Sequence, residues 1–264
     1  MKKLMRKFES QSGAILSRTN KSKIMYLGSW AGRQDSPFPW LKVVDEVKVF
    51  GLLLTPKYST TLRRTWEEVV KGFRKTIYSW KDRGLDNMFQ KAEVVRTFAQ
   101  SKLWYICQVL PLPNTYTKKI ESITSSFLFR GKLERLRLEE LCNPASKGGL
   151  GLLDVRTKAD ALFLKQLSRM LIRKEEGAYR HLCYWLGSHL QPQLADMMNS
   201  GTVLQRPPPP FHQHALTLLQ KGFQWFGLAP GKMENITVKK MYKEYTCDLP
   251  QPKVTDKYLV VNFP

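Results

Sequence analysis

Between Asp86 and Pro113 the chain reads DNMFQKAEVVRTFAQSKLWYICQVLPLP. Met88, Ala92, Val95, Ala99, Leu103, Ile106 and Leu110 recur at intervals of 4, 3, 4, 4, 3 and 4, the spacing that aligns one face of an α-helix. Asp86 or Asn87 can cap the start, because a short polar side chain accepts the free amides of the first turn. Pro111 and Pro113 end it, since neither donates the next backbone hydrogen bond. Beside the apolar face runs a second stripe, Lys91, Phe98, Lys102 and Tyr105. Cations interleaved with aromatics along one edge suit a polyanion that offers stackable or groove surfaces. The competing reading is of lysines whose stems cover apolar surface beside core aromatics.

An apolar face of that length needs partners, and the flanking chain supplies them. Leu62, Trp66, Val69, Phe73, Ile77 and Trp80 predict a helix over Thr60 to Trp80, with Arg63, Arg64, Lys71, Arg74 and Lys75 on its outer faces. Tyr116, Ile120, Ile123 and Phe127 predict another over Asn114 to Phe129. Three amphipathic helices on short connections bury their stripes on one another as a bundle. PASKGGLGLLD at 144–154 reads as a tight Gly-rich turn. It is followed by a helix over Thr157 to Lys174, with Phe163, Leu167, Met170 and Leu171 inward, and by one more over 178–190.

Upstream, Lys2 to Gln11 reads as a helix, Ala14 to Leu16 and Lys23 to Leu27 as strands, and Val47 to Leu54 as an apolar β-branched run. Gly28 to Pro39 is loop. Downstream, Pro207 to Pro210 reads as a stiff polyproline spacer. Beyond it lie an apolar segment around Leu216, Leu219 and Phe223 and a helix over Thr237 to Tyr245. The expected organisation is thus 1–57, 58–176 and 177–264, in a mainly α fold with a small α/β part in front.

Lys and Arg number 43 against 22 Asp and Glu, a formal charge of +21, of which the three segments carry +7, +10 and +4. Such a balance points first to a nucleic acid and second to an anionic membrane surface. No run reaches the apolar length a bilayer needs, and MKKLMRKFESQSG lacks the apolar centre of a signal peptide. Four cysteines without a CxxC pair read as reduced, intracellular thiols. A nuclear or cytoplasmic location and no membrane partner are therefore expected.

The search for a reaction centre is mostly negative. Phosphoryl or nucleotidyl transfer needs closely placed carboxylates to hold divalent metal, and no two of the nine aspartates are adjacent. The neighbouring acidic pairs, such as Glu67-Glu68, point apart on a helix or strand. His181, Cys183 and His189 with His212 or His214 form the one zinc-ligand combination available, without paired-cysteine spacing. KGGLG at Lys147 to Gly151 lacks the GKS or GKT ending of a phosphate loop.

SGAILSRTNKSKIMYLGSWAGRQDSP at Ser12 to Pro37 resembles the end of the palm in reverse transcriptases of LINE-type (non-LTR) retrotransposons, with its SG…LN..KS…LG.W.GR.D.P pattern. VKVFGLLL at Val47 to Leu54 is similar to the family's V-K-x-L-G strand, with Phe50 in place of Leu. Trp66, Ser79-Trp80, Lys91, Ser101 to Tyr105, the LPLP of Leu110 to Pro113, FLFRGK at Phe127 to Lys132 and KGGLGLLDV at Lys147 to Val155 follow in the family's order. The resemblance covers about residues 1–176. Departures are an extra residue between Leu16 and Lys21, Ser17 where Asn is usual, and Gln90 where Gly is usual.

The resemblance implies a helical thumb-like bundle preceded by a remnant of the polymerase palm. It implies a grip on template–primer RNA, DNA or their hybrid without sequence choice, through Lys91, Phe98, Lys102, Tyr105, Arg63, Arg64, Lys71, Arg74 and Lys75. The family's catalytic aspartate pair lies upstream of this pattern, so the expectation is a fragment that neither polymerises nor holds a cofactor alone. The whole enzyme would use Mg²⁺, and the parent's palm and fingers would be further partners. The alternative is a host-adopted structural or protein-interaction module that does not bind nucleic acid.

Overall fold

The computed structural model describes residues 2–12, 22–36, 39, 41–85, 87–130, 137–173, 177–190, 208–225, 253–255 and 258–260. The fold is mainly helical with a small sheet part. It divides into two compact units, Met1–Val69 and Val70–Pro264, and the division falls inside a helix rather than at residue 57. No helix among the described residues is long and apolar enough to cross a membrane.

The first unit holds helix α1 (Lys2–Ser12), strands β1 (Lys23–Ile24) and β2 (Lys42–Val43), strands β3 (Val47–Val49) and β4 (Leu52–Leu54), and the start of α2 (Tyr58–Ser79). β1 and β2 pair in parallel. The run from Val47 to Leu54 is a hairpin and not one strand: β3 and β4 are antiparallel, with Val47 opposite Leu54 and Val49 opposite Leu52. Phe50 and Gly51 sit between them at φ 48° and 83°. Positive φ at both central positions is the two-residue turn whose twist matches a hairpin, and Gly51 supplies one of them without strain. Two buried threonines tie β4 to α2, Thr65 Oγ1 accepting from Leu53 N (3.1 Å) and Thr61 Oγ1 from Thr55 N (2.8 Å).

The second unit is helical. The expected helix over 86–113 forms, but in three parts: α3 (Met88–Val94), a π-helical segment Val95–Gln100, and α4 (Ser101–Cys107). Asn87 is its cap, its side chain accepting from Phe89 N (2.9 Å). Ala92, Val95, Ala99, Leu103, Ile106 and Leu110 are all buried, as their spacing requires. α5 (Asn114–Leu128) follows, burying Tyr116, Ile120 and Phe127. A short α6 (Leu138–Leu141) then leads into the glycine turn.

That turn is compact for a steric reason. Gly151 N donates to Asn143 O (2.9 Å) and Leu150 N to Leu141 O (3.0 Å), so the chain doubles back on itself. A Cβ at Gly149 would lie 1.9 Å from Asn143 O, and Gly148 has φ 79°. The turn delivers Asp154, whose carboxylate accepts from Thr157 N (2.5 Å) and caps α7 (Val155–Ile172).

α7, not the helix over 88–107, is the centre of this unit. It packs against α4, α5, α8 (Gly177–Leu190) and α9 (Pro210–Trp225), and Ala161, Leu162, Phe163 and Leu164 are buried consecutively. Phe163, Leu167, Leu171, Leu182, Leu186, Ala215, Leu218 and Leu219 form one apolar cluster across α7, α8 and α9. α8 and α9 therefore pack with α7 in the helical bundle. The polyproline reading also changes: Pro210 opens α9, and Pro209 O accepts from Gln213 N (2.9 Å). A proline at the first helical position loses no hydrogen bond, since that amide has no helical partner. Pro207, the strand expected at 14–16 and the helix expected at 237–245 lie outside the described residues. A last antiparallel pair joins β5 (Lys253–Thr255) to β6 (Tyr258–Val260).

Candidate nucleic-acid interface

The π-helical segment decides which side chains share an edge. A π turn holds one residue more than an α turn, so residues beyond it are rotated by about 100° relative to a straight helix. Lys91 precedes the segment and Lys102 follows it, and their sequence spacing no longer places them together. Lys91 is buried at 6% exposure, its Nζ donating to Leu128 O (3.3 Å). This corrects the expected stripe, which Lys91 leaves. Phe98 and Tyr105 are about half exposed, at 46% and 50%, and Lys102 is exposed with them.

Phe98 and Lys102 meet the end of α2. The rings of Phe98 and Trp80 stand 4.9 Å apart with a 31° tilt. The Arg83 guanidinium lies 4.6 Å from the Trp80 ring centroid, and Arg83 Nε donates to Ser79 O (3.1 Å). Lys102 Nζ donates to Thr76 Oγ1 (2.5 Å), which anchors the lysine across the helix pair and leaves its charge on the surface. A guanidinium, an indole and a phenyl ring in succession, with an ammonium alongside, offer both a stacking platform and cations for phosphate.

Sequence periodicity assigned Trp80 to the core stripe and left Arg83 unread. The signal in the sequence is Lys81-Asp82-Arg83, a wholly polar stretch of nearly one turn past Trp80.

The basic residues of α2 divide by their partners. In the first unit Arg63 pairs with Glu67 (3.1 Å), Arg64 with Glu46, and Lys48 with Glu68. Their charges are locally offset, so Arg63 and Arg64 add little net field. In the second unit Lys71, Arg74 and Lys75 are exposed and have no carboxylate partner among the described residues. They lie on successive turns of one helical face. Of the nine residues expected at the interface, Phe98, Lys102, Tyr105, Lys71, Arg74 and Lys75 are thus exposed in the second unit.

Buried titratable groups elsewhere explain packing rather than chemistry. Burial holds Lys158 and Lys165 down at about 8, and Lys158 Nζ lies 5.9 Å from the Trp104 ring. Burial pushes the Cys107 thiol up to about 12, the behaviour of an inert core cysteine. His181 and His212 rings are 5.0 Å apart. Among the described residues no three His, Cys, Asp or Glu side chains are grouped to hold a metal ion. The chain matches no protein-family model, and no curated protein is significantly similar to it.

Proposed function

We propose that this chain binds RNA, DNA or their hybrid without sequence selection, along the edge formed by the end of α2, the π-helical segment and α4. The stack of Arg83, Trp80 and Phe98 beside Lys102 carries the reading. It presents rings that tolerate any base and cations that neutralise backbone phosphate, with no acceptor pattern that would select a sequence. Lys71, Arg74 and Lys75 add positive charge on a different face of α2. The charge of +21 and the colinear motifs shared with LINE-type reverse transcriptases support the same reading. In that family's terms the helical unit acts as a thumb, holding template–primer for a catalytic centre supplied elsewhere.

Retention of the purified chain on immobilised duplex across a salt gradient tests this. The expected result is binding that weakens steeply and log-linearly with salt, and that Phe98→Ala with Lys102→Ala reduces. Salt-independent or absent retention of a folded chain favours the protein-interaction module and ends the nucleic-acid reading.

A further inference from the structure

On the other side of α2 a cleft of about 420 Å³ opens between its last turns, the start of α3 and the end of α5. Arg74, Lys81, Lys91 and Arg130 supply four cations to its lining, against the single carboxylate of Asp82. Ile77 and Phe127, both buried, give it an apolar floor, and the Tyr78 ring is 59% exposed at its margin. Ser122 and Ser126 add hydroxyls.

Lys91 is buried on α3, where its Nζ donates to Leu128 O (3.3 Å). Arg130 occupies the left-handed region at φ 53°, where glycine is the usual residue past a helix end. From there its guanidinium donates to Leu85 O (3.2 Å) and reaches the cleft. Arg74 and Tyr78 stand about 200° around α2 from Thr76 and Trp80, taking about 100° per residue. The cleft and the stacking edge are consequently separate surfaces of the helix.

We propose that this cleft binds a nucleotide. Its volume is that of a small-molecule site and excludes a duplex. Guanidinium forks and hydroxyls match the several oxygens of a phosphate, while Tyr78 and the apolar floor offer a face to the base. Arg74, Lys81 and Arg130 hold the phosphate, with the Lys91 charge beneath it.

Calorimetric titration of the full chain with adenosine 5′-monophosphate, adenosine and inorganic phosphate tests the assignment. The monophosphate binds, and each half alone binds at least about tenfold more weakly, because either half forgoes the attachment the other provides. Arg130→Gly weakens the monophosphate by about 10- to 100-fold without lowering the thermal midpoint, since glycine relieves the left-handed strain. Lys81→Ala, at an exposed position, weakens it in a fold that cannot depend on that side chain. Tyr78→Ala weakens the monophosphate and leaves phosphate unaffected, and Phe98→Ala changes neither. A 5′-phosphorylated trinucleotide that displaces the monophosphate, when its 5′-hydroxyl counterpart does not, assigns a strand end to the cleft. Failure of both to displace it assigns a free nucleotide. Absence of binding, phosphate binding as tightly as the monophosphate, or unchanged affinity in both Arg130→Gly and Lys81→Ala overturns the proposal. None of these results depends on duplex retention by the stacking edge.

Discussion

The ring of Phe98 lies 4.9 Å from that of Trp80, across the junction between the π-helical segment and the end of α2. Phe98 remains 46% exposed in this arrangement, so the pair is ordered but not consumed by the core. If the pair is a platform for bases, Phe98→Ala should weaken single-stranded RNA binding by about 1–3 kcal/mol, the usual worth of one stacked base. Fluorescence anisotropy with labelled oligonucleotides of several compositions measures it, and the loss should be alike for all. An unchanged affinity in a folded variant removes Phe98 from the interface.

Charge reversal should separate the two lysines that sequence spacing had paired. Lys102→Glu should make the slope of log K against log salt shallower, by roughly 0.7–0.9 for each phosphate no longer neutralised, with little change in thermal midpoint. Lys91→Glu should instead lower the midpoint sharply, because it buries a carboxylate facing the Leu128 carbonyl. Equal effects of the two substitutions on stability would contradict the inward placement of Lys91.

Neighbouring glycines should differ in kind. Gly149→Ala drives a Cβ to 1.9 Å from Asn143 O, a backbone atom that cannot step aside. Gly148→Ala meets nothing within 4 Å and bears only left-handed strain, about 1–2 kcal/mol. Urea midpoints should fall further for Gly149→Ala, with the loss of the α7 cap geometry following from the same turn.

Acid should loosen the junction of α7, α8 and α9. Burial holds His212 and His214 at about 4, below the ordinary 6.5, with the positive charge of His181 also acting on His212. Between about pH 4 and 6.5 the unfolded chain therefore binds more protons at these sites, and their contribution to stability falls as pH falls. Burial raises the carboxyls of Glu121 and Asp160, which act in the opposite sense. The comparison that isolates the histidine is parent against His212→Phe: the parent's urea midpoint should fall relative to the variant's as pH drops from 7 to 4. A constant difference over that range would assign His212 no part in the acid response.

Template-directed incorporation of deoxynucleotides by residues 1–264 with Mg²⁺ or Mn²⁺ should not exceed a buffer control, since no two of its aspartates are adjacent to share a metal. Activity that copurifies with the chain through successive columns would refute the thumb-like reading.

The apolar periods alone determined that α2, the helix over 88–107, α5 and α7 exist, and picked out most of the large side chains they bury. Ala92, Val95, Ala99, Leu103, Ile106 and Leu110 are all buried, because burial of an apolar stripe dominates any single helical turn. The glycines of 148–151 likewise carried their turn in their identity, as only they fit it. Tertiary structure decided the rest. Lys91 and Lys102 share a stripe in a uniform helix, and the π-helical segment between them separates buried from exposed, a local insertion that no period reports. Arg63 and Arg64 look like Lys71 and Lys75 in sequence, but Glu67 and Glu46 meet only the first pair. Trp80 read as core, and only the arrival of Phe98 and Arg83 made it part of a surface stack. Pro210 read as spacer and became the first residue of α9, because the apolar cluster around Phe163 and Leu186 draws that helix onto α7 and α8. Periodicity reports what one helix must hide; which exposed groups stand together depends on packing between residues far apart in the chain.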